Sequence, residues 1–313
     1  MKTLPPKTSS PRPRRRRASA LMIMIWAVML MSVTVMGVVE YVSYSADEAT
    51  QSTAEFRALY LAESGLTVGL HPDTRRGDPH LKQKIGTDSG FDVVINYEGA
   101  RIPVNYLVDE RLGEVVYNLF IYWGLSAEQA SITVDSLADW MDRDEDPRPN
   151  GAEAAYYESL GISDRPRQRG FIKVDEMLLV RGMGAVDQIK PDWREYFSVY
   201  GDGLIDLRTA FRDVLIAVTK SSEADVDRYL RERDGADGLA GTEDDRRIRS
   251  SEAYNLLALD SSRAQALSSI LVDSDDLRRI TSTGYVGEKR AQIVVVARRG
   301  DDRSLTYVAR IEE

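Results

Sequence analysis

Residues 18–39 read ASALMIMIWAVMLMSVTVMGVV, an uninterrupted run of 22 uncharged residues. As a helix rising ~1.5 Å per residue, this run reaches about 33 Å, enough to cross a hydrocarbon core of ~30 Å. Arginines occupy residues 14–17 immediately before it, and acidic residues follow from Glu40 onward. Because positive charge stays in the cytoplasm, the pattern predicts a short cytoplasmic N-terminus, one transmembrane segment and an exported remainder.

The chain continues beyond this run without a proline until Pro72. Apolar residues recur at helical spacing over 56–66, so one helix is predicted from about Ser19 to Leu70. Its first half is apolar on every side and its second half is amphipathic. Such a helix is suited to lie half in a bilayer and half on a folded domain.

The composition restricts the class of protein. The chain has 313 residues, 43% of them hydrophobic and 29% charged, which gives a prior of about two domains and excludes global disorder. Seven of the 41 basic side chains and none of the 50 acidic ones lie in residues 1–17, so the acidic body is a poor partner for nucleic acid. Cysteine is absent and the histidines are His71 and His80, which excludes disulfides and argues against most zinc and hydrolytic chemistry.

This N-terminal plan resembles that of type IV pilins and pseudopilins. ALYLAESGL (58–66) is similar to the A-x-x-LAE-x-GL segment of that family, and RASALMIMIW (17–26) is similar to its RG-x-ALL-x-x-LW junction. The resemblance implies cleavage by prepilin peptidase between Ala18 and Ser19, with Ala18 where the family has glycine, and methylation of the new N-terminus. A plain single-pass anchor is the alternative.

The same resemblance makes Ile23 the fifth residue of the mature chain. Most pilins carry a glutamate there, which pairs with the terminal amine of the neighbouring subunit inside the apolar fibre core. A buried unpaired charge is costly, so a residue without an acid suits a subunit that has nothing above it. Ile23 therefore predicts a position at the tip of a fibre.

The body is predicted to be helical between β segments. Residues 91–97 and 101–104 are predicted to form one hairpin, and residues 291–297 and 305–311 another. Helices are predicted over 112–123, after the N-cap Ser126, and over 171–189 with an interruption at 182–184. Residues 101–116 and 203–218 form a weak repeat, each with a β-like start, a turn residue (Asn105, Asp206) and an amphipathic helix.

Two motifs in this body resemble the protein K family of type II secretion systems, the largest minor pseudopilins. ADWMDRDEDPRPNGAEAAYY (138–157) is similar to its DW-x-D-x-D-x-x-P-x-x-x-GAE-x-x-YY, and VDEMLLVRGM (174–183) to its V-x-EL-x-x-V-x-GM. The resemblance implies an α+β fold: a pilin-like N-terminal helix on a small antiparallel sheet, with a large all-helical (SAM-like or helix-hairpin-helix-like) domain inserted between the β segments. The predicted parts are a basic cytoplasmic leader (1–18), the pilin helix (19–72, transmembrane at 19–39), the first β part (73–104), the inserted domain (105–280, subrepeats about 105–200 and 201–280) and the C-terminal strands (281–313).

The resemblance also implies a function and partners. It implies a non-enzymatic subunit of the bacterial inner membrane, with a cytoplasmic N-terminus and a periplasmic bulk. This subunit would nucleate or cap the pseudopilus and help to export folded proteins across the outer membrane. The implied partners are the I-type and J-type minor pseudopilins and the major pseudopilin through the N-terminal helix, prepilin peptidase, and secretion substrates or the outer-membrane secretin.

An acidic loop within the first motif is a candidate calcium site. Its four carboxylates occupy the relative positions 1, 3, 5 and 12 of an EF-hand loop: Asp142, Asp144, Asp146 and Glu153. Pro147 replaces the EF-hand glycine, and because proline fixes φ an EF-hand is rejected. A calcium ion or a cluster of arginines would relieve the repulsion, and the family's helical domain is known to carry calcium.

A second acidic run is a weaker candidate. RDGADGLAGTEDDRR (233–247) could wrap another calcium ion or form a solvated loop, and the solvated loop is the preferred interpretation. Its acids are Asp234, Asp237, Glu243, Asp244 and Asp245.

Other function classes are less consistent with the sequence. The repeat and VRGMGAVD (180–187) resemble helix-hairpin-helix elements of DNA-binding competence proteins, but the charge around this turn is not basic. A minor type IV pilin is a further alternative. The motifs of phosphate-binding loops, serine hydrolases and zinc proteases are absent, which argues against a membrane-anchored enzyme.

Overall fold

The computed structural model describes residues 16–273, 277–300 and 305–312, without the side chains of residues 16–20, 43 and 45–52. Two compact units divide the chain, one ending at Phe56 and the other beginning at Arg57. The helices are α1 (Arg16–Gly69), α2 (Glu110–Trp123), α3 (Ala127–Asp139), α4 (Ala154–Ser159), α5 (Met183–Ile189), α6 (Arg212–Thr219), α7 (Glu223–Arg233), α8 (Ser250–Leu256) and α9 (Ser261–Leu267). The strands are β1 (Lys82–Lys84), β2 (Ser89–Tyr97), β3 (Ile102–Pro103), β4 (Phe197–Ser198), β5 (Ile205–Asp206), β6 (Leu271–Val272), β7 (Leu277–Val286), β8 (Lys289–Arg299) and β9 (Leu305–Glu312).

The first unit contains the apolar part of α1. Leu21–Val42 has a mean hydropathy of 2.3 and contains no buried residue, and by length and composition it can cross a membrane. Ile23 is 69% exposed within it. The predicted cleavage bond between Ala18 and Ser19 lies on the backbone of α1, whereas residues 1–15 of the predicted leader lie outside the described residues.

The second unit contains a five-stranded antiparallel sheet in the order β1-β2-β7-β8-β9. Strands from both ends of the chain therefore share one sheet, as the sequence predicts, and β8 and β9 form the predicted C-terminal hairpin. The predicted hairpin of 91–97 with 101–104 is wrong. β2 pairs with β7 instead, and β3 pairs with β4 in parallel.

Strand β7 was missed because its inward face is not apolar. The residues that it turns towards the interior include Arg278, Ile280, Ser282 and Gly284, of which one is a large apolar side chain. Alternation of apolar and polar residues is the usual signal of a half-buried strand, and β7 lacks it. Its polar residues instead find partners, since Ser282 Oγ donates to the carbonyl of Ala62 at 2.7 Å.

The end of α1 packs closely on this sheet. Ala58, Ala62 and Leu66 are buried, and the sheet core contains Phe91, Val93, Ile95, Ile280, Ile293 and Val295. A Cβ at Gly284 would lie 1.9 Å from the carbonyl oxygen of Ala58. This position therefore accepts only glycine at the observed helix–sheet distance.

Residues 98–273, which follow β2 in the chain and precede β7, have a separate core. The stripe predicted over 112–123 forms the buried face of α2, which packs against α6. The N-cap Ser126 forms a capping box with Gln129 at the start of α3. The helix predicted over 171–189 is divided into a 3₁₀ helix (Val174–Leu179) and α5, with Gly182 at φ 90° between them.

Two short parallel ladders, β3–β4 and β5–β6, lie within this inserted region, and the main sheet resumes at Leu277. The region predicted at 105–280 is thus helical with small β ladders. The two turn residues of the weak repeat both bind backbone. Asn105 Nδ2 donates to the carbonyls of Phe171 and Val199, and Asp206 Oδ1 accepts from the N–H of Arg208 at 3.0 Å.

Candidate metal centre

Three carboxylates converge where α3 ends and α4 begins. Asp139 is the last residue of α3, Asp142 lies in the turn that follows, and Glu153 is the N-cap residue of α4. One oxygen from each lies within 4.8 Å of the other two. Asp139 is fully buried and Glu153 is 4% exposed, so this negative charge is largely withdrawn from water.

Few groups of the protein donate hydrogen bonds to these carboxylates or form ion pairs with them. The Asp139 carboxylate accepts from the N–H of Arg148 at 3.3 Å, and Arg148 Nε lies 3.7 Å away from it. Both oxygens of Glu153 and Oδ1 of Asp142 are buried without a hydrogen-bond partner among the described residues. Buried polar atoms are nearly always paired, so orphaned carboxylate oxygens that face one another indicate a cationic ligand.

Burial and mutual repulsion act on the protonation of the cluster. Burial, together with the charges of Asp139, Asp142 and Asp144, raises the pKa of Glu153 to about 7. Burial also raises the pKa values of Asp139 and Asp142. A cation between them would remove the cause of these shifts, because it would stabilise the ionised carboxylates.

The second motif holds the loop that returns from Asp142 to Glu153. A Cβ at Gly151 would lie 1.8 Å from Asp139 Oδ2, so the chain can pass the carboxylate only as glycine. Arg181 Nη1 donates to the carbonyl of Gly151 at 3.0 Å, and its guanidinium lies 4.5 Å from the ring centre of Tyr156. Arg181 of the second motif therefore holds the acidic loop through its backbone and through Tyr156.

The donor set fits a hard divalent cation. It consists of carboxylate oxygens alone, which are the ligands that Ca²⁺ prefers, and the loop backbone and water can complete a coordination shell of six to eight oxygens. Asp139, Asp142 and Glu153 would hold the ion. Soft thiolate or imidazole ligands are not part of this group.

The four predicted ligands do not all meet in the structure. It brings Asp142 and Glu153 together, and Asp144 lies close enough for its charge to raise the pKa of Glu153. Asp146 is exposed and outside the group, and its N–H donates to Asp144 Oδ1 at 3.1 Å. Asp139 was missed because the EF-hand spacing starts at Asp142, although Asp139 lies in the quoted motif.

The sequence of this region matches a known protein family. Residues 100–190 match the family described as type II secretion system (T2SS), protein K. Over this segment the chain is similar to the protein K family. The matched residues include α2, α3, the acidic loop, α4 and α5, so the candidate metal centre lies inside the matched segment.

The fold has a solved relative. A chain of the GspK–GspI–GspJ complex from the type 2 secretion system of enterotoxigenic Escherichia coli matches with a TM-score of 0.62. The identity is 17%, and the match covers 87% of this chain and 99% of that chain. At this identity the match establishes the fold, which is the predicted α+β arrangement. No curated protein matches the sequence.

The second acidic run lies between α7 and α8, and its carboxylates have local partners. Asp234 pairs with Arg233, and Asp237 accepts from the N–H of Leu239 at 2.8 Å. Asp244 and Asp245 accept from backbone N–H groups within the loop and from the Thr242 hydroxyl, and Glu243 is exposed. These acids stabilise the turn, and they do not form a metal-ligating group among the described residues.

The glycine turn before α5 is poorly suited to bind phosphate. A Cβ at Gly182 would lie 2.2 Å from Thr133 Oγ1, so α3 covers the turn. Arg181 binds the acidic loop, and Lys190 pairs with Asp192 at 2.9 Å. Arg181 and Lys190 are thus engaged within the protein instead of being offered to DNA.

Proposed function

We propose that this chain is a minor pseudopilin that caps the tip of the type II secretion pseudopilus. The observation that carries the proposal is a protein K domain inserted into a sheet whose chain begins with an apolar helix long enough to span a membrane. The role is one of assembly rather than catalysis. The matched structure is a complex of GspK with GspI and GspJ, which supports I-type and J-type minor pseudopilins as the partners of this chain.

The N-terminal helix is the proposed assembly element. Leu21–Val42 would lie in the inner membrane and then against the corresponding helices of sibling pseudopilins, with the bulk of the chain in the periplasm. Ile23 supports the terminal position, because a subunit at the tip has no neighbour above it whose amine would need an acid. The secretin and the secreted proteins are the proposed partners of the inserted region.

A deletion that preserves the sheet tests the capping role. Tyr97 and Arg278 are directly paired across β2 and β7, so residues 98–277 can be replaced by Asn-Gly, which closes a two-residue hairpin. The shortened chain should still enter the membrane, as measured by fractionation, whereas secretion of cargo should be abolished. A full-length chain with Gly184→Ala is the control, since a Cβ there meets nothing within 4 Å. Normal secretion by the shortened chain would refute the role.

We also propose that Asp139, Asp142 and Glu153 bind calcium and that the ion stabilises the inserted region. Calcium should raise the melting temperature of the full chain in detergent, and Asp139→Asn should remove most of that rise. Asp146→Asn is the matched control, because it removes an exposed carboxylate of the same loop outside the group. Calorimetric titration gives the affinity. Equal calcium responses of the two variants would contradict the assignment.

A further inference from the structure

A cleft rich in arginine lies in the second unit, away from the candidate metal centre. Its volume is about 670 Å³, and it is bordered by the loop after α1, the start of β7, the end of β8 and the loop between α7 and α8. Among the described residues, seven arginines line it against three carboxylates, those of Asp73, Glu243 and Asp245. The whole chain has more acids than bases, so this concentration of guanidinium groups is not an average feature of its surface.

Two of these arginines form ion pairs within the protein. Arg233 is 4% exposed, pairs with Asp234 and donates to two backbone carbonyls at 2.9 Å. Arg246 pairs with Glu232 at 2.7 Å and with Glu252 at 2.6 Å. Because acidic groups of the protein balance their charges, these two arginines are structural parts of the cleft lining.

Two others, Arg278 and Arg208, also interact with groups of the protein. Arg278 is 6% exposed and donates to the carbonyl of Thr74 at 3.3 Å. Arg208 lies 3.6 Å from the buried carboxylate of Asp206, but its Nε is buried without a hydrogen-bond acceptor among the described residues. An unpaired buried donor beside a cavity is costly unless a ligand supplies the acceptor.

The remaining three, Arg75, Arg247 and Arg299, form no ion pair with any residue in 16–273, 277–300 and 305–312. They come from three segments that are far apart in the sequence, and folding brings them to one cleft. Like charges gathered in a concave site repel one another and concentrate a positive potential. An anion in the cleft would relieve that repulsion.

We propose that this cleft binds a small anion that carries phosphate groups. Planar guanidinium groups form paired hydrogen bonds with phosphate and carboxylate alike. Three guanidiniums without an ion pair are matched better by a phosphate monoester, which carries about −1.5 to −2 at neutral pH, than by a monocarboxylate with its single charge. The volume of the cleft also lies within the range of ~300–1,000 Å³ that is typical of sites for small molecules.

Pyrophosphate is the probe for a binding test on the full-length protein in a non-ionic detergent. EDTA is included so that the acidic centre and calcium do not contribute. Calorimetry should show saturable binding with one site per chain. The double variant Arg75→Gln, Arg299→Gln should bind about 100-fold more weakly, since a charge-assisted contact contributes about tenfold per guanidinium.

Arg231→Gln is the matched control, because Arg231 is exposed on α7 and outside the cleft. It should leave the affinity for pyrophosphate unchanged. The melting temperature without ligand should be no lower for the double variant than for wild type, because Arg75 and Arg299 make no ion pair among the described residues and their removal relieves repulsion. If the double variant is destabilised, Arg247→Gln provides the same comparison.

The affinities of wild type and the double variant decide whether the anion binds in the cleft. No saturable binding, or equal affinities of the two chains, would overturn the proposal. A competition arm with dihexanoyl phosphatidic acid then identifies the source of the phosphate. Displacement of pyrophosphate by this lipid supports a lipid head group, and failure to displace it supports a free phosphate compound.

Discussion

At the scale of single residues, Glu153 makes the stability of the chain depend on pH. Its folded pKa of about 7 lies above its ordinary value of 4.5, so the native state binds a proton more tightly than the unfolded state. That contribution is fully present below about pH 4.5 and is lost as the pH rises through 7. Asp139 and Asp142 are shifted in the same direction.

In EDTA, the free energy of unfolding should therefore fall by up to about 3 kcal/mol between pH 5 and pH 8, and the melting temperature should fall with it. Glu153→Gln should flatten this dependence, because its amide does not titrate. Circular dichroism melts of both chains across this range measure the difference. Saturating calcium should reverse the trend in the wild type, because the ion competes with protons. A wild-type stability that rises with pH in EDTA would contradict the pKa shift.

At the scale of elements, the contact between α1 and β7 depends on Gly284. The Cβ of an alanine would lie 1.9 Å from the Ala58 carbonyl oxygen and 2.4 Å from the Ala62 nitrogen, and backbone atoms cannot yield as a flexible side chain would. Gly284→Ala should destabilise the chain by about 2–3 kcal/mol, as measured by urea denaturation in detergent. Gly184→Ala, within α5, should be neutral or stabilising by up to ~1 kcal/mol. Equal effects of the two substitutions would disprove the tight contact.

At the scale of the whole molecule, the mature N-terminus separates a pseudopilin from a plain membrane anchor. Protein purified from native membranes should begin at Ser19, with the mass of an N-methyl group added, because prepilin peptidase cuts after the basic leader. Mass spectrometry of the intact chain measures this directly. Ala18→Asp should block the cut by placing a charged side chain where a small residue is required, and Ala20→Gly should not. A native chain that retains Met1 would show that it is not processed as a pilin.

Some of this molecule is encoded locally in its sequence. The long N-terminal helix, the capping box of α3, the stripe of α2 and the C-terminal hairpin were all predictable, because each depends on the spacing of residues that are neighbours in the chain. The motif at 138–157 likewise indicated the acidic loop and the protein K family from its residues alone. For the metal centre, it supplied Asp142 and Glu153.

The rest depends on contacts between distant segments. Strand β2 pairs with β7, and one cleft is lined by Arg75, Arg247 and Arg299. These segments are far apart in the chain, so the local periodicity of the sequence does not predict that they meet. Asp139 joins the acidic group because α3 ends where the loop returns through Gly151, which the spacing of carboxylates does not reveal. The sequence by itself determined the long N-terminal helix, the stripe of α2, the cap of α3 and the C-terminal hairpin, through hydrophobic periodicity and capping. Only the tertiary structure decided which strands pair and which charges meet, because those choices depend on burial shared between residues far apart in the chain.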